Sequence, residues 1–362
     1  MVGSEKVLIM AGGTGGHVFP ALAVARELRQ QGVDVIWLGT RQGLEARVVP
    51  EAGIPMEFIS IAGLRGRGMA GWLLAPLRLS YALIQALRIC LRQQPRAVLG
   101  MGGFVTGPGG VAAWLLRRPL VIQEQNAVAG LTNRLLSRLA RRVLEAFPGS
   151  FPKGIKTELS GNPVRADICD LPEPGSRFAE HAGRIRILVI GGSLGAQALN
   201  LTLPEALAKL ADEIRPEIWH QAGRGKEEAA REAYNKAGIE ARVEPFVSDM
   251  AEAYRWADMV ICRAGALTVS ELAAAGLGAI LVPFPHAVDD HQTRNALYLS
   301  EAGAARLILQ TELTPDYLAT VLRELLADGR AGLLKMAEAA RALAQPEASR
   351  RVASACLEVM HG

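Results

Sequence analysis

The sequence predicts an α/β protein made of two domains, each with a mainly parallel sheet, and two observations support this. Short apolar β-like runs alternate with helical patterns along the whole chain, which is the order of βαβ units. At 362 residues and 50% hydrophobic content, the chain is also longer than one core usually supports. We therefore expect two successive α/β domains, each with its own core.

Two series of predicted strands place the boundary between these domains. The first series covers residues 6–11, 34–38, 57–61, 97–100, 120–123 and 142–145. The second covers residues 185–190, 217–221, 242–246, 258–262, 279–282 and 306–309. Asn162-Pro163 and the loop-like residues 171–184 lie between them, and helical periodicity follows Thr314. We assign residues 1–163 to the first domain and residues 164–362, including the C-terminal helices, to the second.

Three glycine-rich turns follow β-like runs, and the first and third lead straight into helical patterns. They are GGTGGH at residues 12–17, GGFVTG at 102–107 and GGSLGA at 191–196. Glycine lets the backbone approach an anion closely, and a helix that begins there presents free N–H groups to it. Because each half of the chain has such a turn, we expect a nucleotide or phosphorylated sugar to be held between two similar domains.

Two familiar phosphate-binding motifs do not fit the first turn. It lacks the Lys-Ser/Thr pair of a P-loop, and Val18 stands where the dinucleotide motif needs its third glycine. The second strand ends without the acidic residue that holds an NAD ribose, although Arg41 leaves an NADP-dependent oxidoreductase open as an alternative. A non-catalytic protein that binds a nucleotide or a phosphorylated sugar is the second alternative.

The bulk composition disfavours several other classes of protein. The net charge of +4 comes with only 5% aromatic residues and no basic run typical of a nucleic-acid module, so we expect no nucleic-acid partner. Four scattered cysteines predict neither a disulfide framework nor a structural zinc site, which fits a reducing cytoplasm. The first apolar run is too short for a secretory signal.

Residues 71–93 combine apolar side chains with arginines, and two interpretations remain open. Pro76, Arg78 and Arg88 interrupt the apolar stretch well short of the roughly 20 residues that a spanning helix needs. The segment could lie on an anionic membrane surface, helped by the nearby Arg65 and Arg67. The alternative is an ordinary amphipathic helix packed on a sheet.

Two histidines receive different interpretations. His17 stands where the first glycine turn leads into a helix. At that position an imidazole can act as a general base or donate to a phosphate, and the sequence does not separate the two roles. His220 lies at the end of a predicted strand and is interpreted as structural.

A polar cluster follows the predicted strand that ends at Cys262. Thr268 and Ser270 can cap the next helix or face a ligand, and Glu271 is placed to accept hydrogen bonds from two ribose hydroxyls. The segment PHAVDDHQ at residues 285–292 contains two histidines and two aspartates, but their spacing matches no metal motif. We predict no metal there and assign Gln292 to polar contacts with a sugar.

Seven of these segments together resemble the MurG family of bacterial N-acetylglucosaminyltransferases. In chain order, the resemblance is carried by residues 12–20, 63–66, 102–110, 124–126, 161–165, 191–193 and 264–271. It implies the GT-B architecture, in which two Rossmann-like domains face each other across a cleft. The first domain would hold the acceptor at the membrane, and the second would hold the UDP-sugar donor.

The resemblance also implies a reaction, partners and a location. N-acetylglucosamine would pass from UDP-N-acetylglucosamine to the C4 hydroxyl of a lipid-linked muramyl-pentapeptide, with inversion, converting lipid I to lipid II for peptidoglycan synthesis. The enzyme would serve cell-wall biogenesis, cell shape and division as a peripheral protein on the cytoplasmic face of the inner membrane. Anionic lipid and other wall-synthesis proteins would be its partners, and no cofactor is implied.

Family roles carry over position by position. In the first domain, the resemblance places the donor diphosphate and sugar against Thr14, Gly15 and Gly16, and the N-acetylglucosamine against Asn126. His17 is the candidate base for the acceptor hydroxyl. In the second domain, the residues implied to bind the nucleotide, diphosphate or sugar are Arg165, Ser193, Val247 through its backbone, Ala266, Leu267, Thr268, Val269, Ser270, Glu271 and Gln292.

One position departs from the family pattern. The family commonly has histidine before Glu-Gln-Asn, whereas this chain has Gln123, which excludes a catalytic histidine there. The chain also has no Asp-x-Asp motif, consistent with a metal-independent reaction. Fixed N–H donors at helix N-termini can stabilise the charge that develops on a leaving diphosphate.

Overall fold

The computed structural model describes residues 5–61, 75–192 and 195–361. The chain divides into two compact units: Met1–Val164 with Pro346–Gly362, and Arg165–Gln345. Of the sequence features noted above, Arg65, Arg67 and Ser193 lie outside the described residues, as do residues 63–66 and 71–74.

The first unit contains a seven-stranded sheet in which all neighbouring strands are parallel. The strands are β1 Lys6–Met10, β2 Asp34–Gly39, β3 Met56–Phe58, β4 Ala97–Gly100, β5 Leu120–Glu124, β6 Arg142–Glu145 and β7 Glu158–Leu159. Their order in the sheet is β3-β2-β1-β4-β5-β6-β7. The connecting helices are α1 Gly15–Gln30, α2 Glu45–Glu51, α3 Ala75–Gln93, α4 Thr106–Leu115 and α5 Leu131–Leu136.

The second unit repeats this plan with a six-stranded parallel sheet. The strands are β8 Arg186–Ile190, β9 Glu217–Gln221, β10 Arg242–Glu244, β11 Met259–Cys262, β12 Gly278–Leu281 and β13 Ala305–Leu307, in the order β10-β9-β8-β11-β12-β13. The α-helices are α6 Ala166–Cys169, α7 Pro174–Glu180, α8 Gln197–Ala208, α9 Glu227–Lys236, α10 Met250–Trp256, α11 Ala266–Ala275, α12 His291–Ser300, α13 Pro315–Leu326 and α14 Gly329–Ala342. Two short 3₁₀ turns lie at Asp212–Ile214 and Val288–Asp290.

The strand order reverses in the middle of each sheet, between β1 and β4 and between β8 and β11. In open parallel sheets, ligands bind beyond the carboxyl ends of the strands at such a reversal. The three glycine turns follow β1, β4 and β8. The topology of each unit therefore puts its glycine turns where a ligand is expected.

Alternation along β1 explains how the first sheet is covered on both faces. Val7 and Ile9 belong to one buried apolar cluster, while Leu8 and Met10 belong to another. Successive side chains of a strand point to opposite faces, so a strand with helices on both sides is apolar throughout. This is why the predicted strands appear as continuous apolar runs.

The C-terminal helix is where the predicted domain assignment is wrong. We assigned it to the second domain, but α15, Ala348–His361, belongs to the first unit. Val352, Cys356 and Met360 form an i, i+4, i+8 stripe that is buried in the cluster containing residues of α1 and β4. Arg96 also donates to the carbonyl oxygen of Met360 at 3.2 Å. From the sequence alone, the apolar stripe predicts that this helix packs against another part of the protein, but it does not indicate which unit.

Candidate active site

The first and second glycine turns contact each other directly at the ends of β1 and β4. Gly103 has φ +84°, and a Cβ there would lie 2.3 Å from the carbonyl oxygen of Gly12. The Thr106 hydroxyl joins the same two segments, because it lies 3.2 Å from the Met10 carbonyl oxygen and 2.8 Å from that of Gly102. Glycine at position 103 is therefore required by close backbone approach as well as by its dihedral angle.

A buried carboxylate that the sequence did not single out lies beneath the first turn. The side chain of Glu45, at the start of α2, is fully buried. It accepts hydrogen bonds from the Gly13 N–H at 3.0 Å, the Thr40 N–H at 2.9 Å and the Thr40 hydroxyl at 2.8 Å. Because the Gly13 N–H is used in this way, an anion at this turn would face the N-terminus of α1 rather than Gly13.

That N-terminus is formed by residues the sequence predicted as ligands. The helix begins at Gly15, directly after the exposed Thr14, and Gly15 and Gly16 are both partly exposed. The first N–H groups of a helix have no carbonyl partner within it, and the helix dipole places partial positive charge there. The structure thus gives Thr14, Gly15 and Gly16 the local geometry of an anion site.

His17 lies in the first turn of α1, and its imidazole contacts Gln125 and Gly102. Nδ1 lies 2.7 Å from Oε1 of Gln125. The ring packs closely on Gly102, where a Cβ would lie 2.7 Å from its Nδ1 and Cε1 atoms. The side chain remains partly exposed, so the ring is oriented without being sealed from solvent.

Asn126 lies in a loop organised by another buried carboxylate. Glu124, at the end of β5, is 2% exposed. Its oxygens accept from the Asn126 N–H at 2.9 Å, Asn126 Nδ2 at 3.1 Å, the Gly130 N–H at 3.1 Å and Asn133 Nδ2 at 2.8 Å. The Asn126 amide group is therefore turned towards Glu124, which makes its Oδ1 the atom suited to accept from a sugar.

An open cavity of about 1040 Å³ adjoins the first two turns within the first unit. It is lined by Gly12, Gly13, Phe104 and Val105 on one side and by residues from β3 and α3 on the other. Two cationic side chains, Arg41 and Arg78, also line it, and the Arg41 guanidinium lies 4.9 Å from the centre of the Phe58 ring.

In the second unit, α11 presents its N-terminus directly after β11. The helix begins at Ala266, and the preceding Gly265 has no side chain to cap it. Leu267 and Thr268 are partly exposed, whereas the hydroxyl of Ser270 donates to the Ala266 carbonyl oxygen at 3.0 Å. Val269 is fully buried, and its N–H donates to the Gly265 carbonyl oxygen at 2.9 Å. Its contact with the donor stays a prediction.

Two arginines, Arg177, which is buried, and Arg341, which is partly exposed, hold the opposite end of α11. Arg177, 1% exposed, donates from Nη1 to the carbonyl oxygen of Ala275 at 2.7 Å and from Nη2 to that of Gly276. Arg341 donates to the carbonyl oxygen of Ala274. Positive charge at a helix C-terminus complements the dipole, so these arginines stabilise α11 while its N-terminus stays open.

Glu271, the predicted ribose contact, lies within the electrostatic influence of Arg165. The Tyr254 hydroxyl of α10 donates to Oε2 of Glu271 at 2.9 Å. Burial raises the pKa of the Glu271 carboxyl to about 7, and the Tyr254 hydrogen bond and the charge of Arg165 only partly oppose this. Hydroxyl groups that donate hydrogen bonds to the charged form of this carboxyl would favour its ionisation.

Two further predicted contacts have clear local environments. The side chain of Val247 is 2% exposed, which leaves its backbone as the part that could face a base. Oε1 of Gln292 accepts from the Phe284 N–H at 2.9 Å. Its amide nitrogen is therefore the group suited to donate to a sugar hydroxyl.

His220 is structural, as predicted. It is fully buried, with Nδ1 2.8 Å from the Tyr234 hydroxyl and Nε2 3.1 Å from Oδ1 of Asn200. Burial lowers its pKa to about 4.

Within residues 5–61, 75–192 and 195–361, no group of three or more His, Cys, Asp or Glu side chains lies close enough to hold a metal ion.

Comparisons with known proteins identify the family of this chain. Residues 7–145 match the glycosyltransferase family 28 N-terminal domain, and residues 186–352 match its C-terminal domain. A protein of Marinobacter nauticus is 58% identical over 358 residues, which cover 99% of this chain and 98% of that protein. A protein of Alkalilimnicola ehrlichii is 60% identical over 352 residues, covering 97% and 98%. Both are named UDP-N-acetylglucosamine--N-acetylmuramyl-(pentapeptide) pyrophosphoryl-undecaprenol N-acetylglucosamine transferase.

Solved structures point to the same family. A crystal structure of MurG from Acinetobacter baumannii is 44% identical, covers 98% of this chain and 99% of its own, and superposes with a TM-score of 0.85. The chain belongs to the MurG family of glycosyltransferases. The kitacinnamycin glycosyltransferase, 18% identical with a TM-score of 0.69, shares the fold. The predicted resemblance and the predicted GT-B class of two Rossmann-like, parallel-sheet domains are confirmed.

Proposed function

We propose that this chain transfers N-acetylglucosamine from UDP-N-acetylglucosamine to the C4 hydroxyl of a lipid-linked muramyl-pentapeptide, with inversion, converting lipid I to lipid II. Family membership and the names of full-length relatives at 58% and 60% identity support the reaction. The observation that carries it at residue level is His17, held by Gln125 beside the N-terminus of α1.

The second unit is the proposed donor site. Glu271 would accept hydrogen bonds from the ribose hydroxyls, with Arg165 next to it and Ser193 on the phosphate. The N-terminus of α11, with Thr268, would face the diphosphate, and Gln292 would donate to the sugar. As the bond from the anomeric carbon to the diphosphate oxygen breaks, UDP leaves with the electron pair, and fixed N–H donors stabilise the charge that develops.

The first unit supplies the proposed base. The acceptor C4 oxygen would attack the anomeric carbon from the face opposite UDP, and its proton would pass to the imidazole of His17. Thr14, Gly15, Gly16 and Asn126 would line the donor diphosphate and sugar. The cavity beside the first turn, with Arg41 and Arg78 in its wall, offers cations and apolar surface to a lipid-linked diphosphate acceptor.

A comparison of two histidine variants tests the base. We expect His17→Ala to lower turnover about 100-fold or more, the scale for losing a general base, with little change in donor affinity. His361→Ala, which removes an exposed histidine at the end of α15, is the matched control and should keep full turnover. The assay is UDP release from UDP-N-acetylglucosamine with and without a short-chain lipid I analogue, with EDTA throughout. Near-normal turnover of His17→Ala would rule out this base.

The same assay separates the transferase from the alternatives. Release that depends on the acceptor supports the transferase and its metal independence together. Donor binding without release would favour a non-catalytic UDP-sugar-binding protein. The oxidoreductase alternative rested on Arg41, whose guanidinium stacks on Phe58, and the family membership of the chain disfavours it.

We also propose that the surface formed by α3, α4 and α5 lies against an anionic membrane. Large apolar side chains are exposed there: Leu77, Tyr81, Ile84, Trp114, Leu115, Leu131 and Leu135. Exposed arginines lie among them: Arg78, Arg88, Arg117, Arg134 and Arg138. Among the helices that the structure describes, none is long and apolar enough to cross a bilayer. Exposed apolar and basic side chains on one surface are typical of peripheral binding.

Vesicle sedimentation tests this surface. We expect wild-type protein to sediment with vesicles containing anionic phosphatidylglycerol, and Arg78→Glu with Arg88→Glu to reduce the bound fraction several-fold, since each basic residue near such a surface contributes about 1 kcal/mol. Lys236→Glu with Lys335→Glu changes the charge equally on exposed positions of the second unit and should have little effect. Equal loss in both double variants would mean that net charge, not this surface, governs binding.

A further inference from the structure

Three buried carboxamides form a hydrogen-bonded chain behind His17. Gln125, Gln123 and Asn162 are 1%, 0% and 2% exposed. The Gln125 side chain lies between the imidazole of His17 and the side chain of Gln123. Buried amides must satisfy both their donor and acceptor groups, so their orientations can be worked out from their neighbours.

The orientation of Gln125 follows from a backbone carbonyl. Its Nε2 lies 3.2 Å from the carbonyl oxygen of Gln123 and also donates to Oε1 of the same residue. A backbone carbonyl can only accept, so the amide nitrogen must face Gln123. The oxygen of the Gln125 carboxamide therefore faces Nδ1 of His17, 2.7 Å away.

The orientation of Gln123 is set in the same way. Its Nε2 lies 3.2 Å from the carbonyl oxygen of Glu124 and 3.3 Å from that of Gly161. Its own Oε1 is thereby directed at Gln125. Asn162 donates to the backbone carbonyl oxygen of Gln125 at 2.9 Å and holds that residue in place. Every carboxamide in the chain is thus anchored to a backbone carbonyl, in a single direction.

We propose that Gln125 is a positioning residue that fixes the tautomer of His17, with the proton on Nδ1 and the lone pair on Nε2. This rests on the proposed function, in which His17 is the base. An acceptor oxygen 2.7 Å from Nδ1 requires that nitrogen to donate, so in the neutral ring only Nε2 can take a proton from the acceptor hydroxyl. The close packing of Gly102 on the ring sets the direction of Nε2.

Gln123, which stands where the family commonly has histidine, is part of this hydrogen-bonded chain. A carboxamide does not change protonation near neutral pH, whereas a histidine at that position would lose its acceptor lone pair on protonation. Gln123 therefore keeps Gln125 oriented at any pH at which the enzyme is folded. In this chain, the tautomer of His17 depends on fixed amides rather than on a second titrating group.

The tautomer can be observed directly. Protein labelled with ¹⁵N at its six histidines gives long-range ¹H–¹⁵N correlations that distinguish a protonated from an unprotonated ring nitrogen. The His17 signals are those that disappear in His17→Gln. In mildly alkaline buffer we expect Nδ1 of His17 to be protonated and Nε2 not. A ring protonated on Nε2, or an averaged mixture, would overturn the proposal.

Gln125→Met provides the second test, because methionine has nearly the same shape but cannot accept this hydrogen bond. We expect mixed tautomers for His17 and an unchanged KM for UDP-N-acetylglucosamine. We expect kcat to fall by about 10-fold or more, because part of the protein then carries the wrong tautomer. Gln31→Met, at an exposed position in the first unit, is the control and should match wild type. An unchanged tautomer and kcat in Gln125→Met would refute the role of Gln125.

These experiments test separately whether His17 is the base and whether Gln125 positions it. If Gln125→Met does not fold, the wild-type spectrum still decides the tautomer. If His17→Ala retains turnover, the base is wrong, and the spectrum then reports only on how His17 is held. A spectrum showing the proton on Nε2 would sink the positioning role even if His17 proves to be the base.

Discussion

Glu271 should make donor binding depend on pH near neutrality. Burial raises its pKa to about 7, so the free protein contains both the acid and the carboxylate at physiological pH. The ionised form is the one that can accept hydrogen bonds from two ribose hydroxyls at once. We therefore expect UDP-N-acetylglucosamine to bind more tightly as pH rises through this value.

The size of the effect follows from the ionised fraction. One unit below a pKa, about a tenth of a carboxyl group is ionised, so donor affinity at about pH 6 should be roughly 10-fold weaker than at about pH 8. That corresponds to about 1.4 kcal/mol. Glu271→Gln cannot ionise and should show a flat profile, with affinity below that of the wild type at high pH.

Stability of the free protein should change in the opposite direction. Because the folded pKa is raised from 4.5 to about 7, folding favours the protonated acid. The resulting stabilisation is present below the ordinary pKa and is lost as pH rises through about 7. Donor binding at higher pH therefore supplies partners to a carboxylate that is poorly stabilised in the free protein.

Isothermal titration calorimetry with UDP-N-acetylglucosamine is the suitable assay. Its diphosphate is esterified at both ends, so it lacks the second phosphate ionisation near pH 6 that would complicate titration with UDP. Burial raises the pKa values of Tyr254 and Cys262, so these groups stay protonated throughout. A wild-type profile as flat as that of Glu271→Gln, or an equal slope in both, would refute the reasoning.

Three further outcomes are expected. Gly103→Ala places a Cβ 2.3 Å from the Gly12 carbonyl oxygen and should lower turnover about 10-fold or more in the UDP-release assay. The control Gly154→Ala has a similar φ but open space around the new Cβ, so it should keep its turnover and lose only about 1–2 kcal/mol of stability. Equal turnover in the two variants would contradict this prediction. Val352→Ala should cost about 2 kcal/mol and weaken hydrogen-exchange protection in the first unit; weakening confined to the second unit would contradict the assignment of α15. Burial lowers the pKa of His220 to about 4, so the free energy of unfolding should fall by on the order of 3 kcal/mol as pH drops from about 6.5 towards 4. Thermal unfolding of His220→Gln should not show this pH dependence. If the dependence persists in that variant, other groups cause it.

Local features of the sequence were sufficient to predict the strands and the glycine turns. The predicted strands at residues 97–100, 142–145 and 217–221 coincide with β4, β6 and β9. An apolar run buried on both faces and a turn that needs glycine at positive φ are both set by neighbouring residues, so their signal lies within a few positions. The two-residue strand β7 was missed because a run that short has no period to detect.

The structure alone decided which distant residues meet. Glu45 holds the Gly13 N–H across 32 positions, and Gln125 meets His17 across 108. The apolar stripe on α15 does not by itself indicate which unit the helix packs against, and only the folded chain places it on the first. The sequence by itself determined that a glycine turn and a histidine lie together, because one short segment contains both. Which ring nitrogen of that histidine carries the proton depends on buried amides that are distant in the sequence: Gln123, Gln125 and Asn162. Their contacts with one another and with His17 exist only once the sheet has formed.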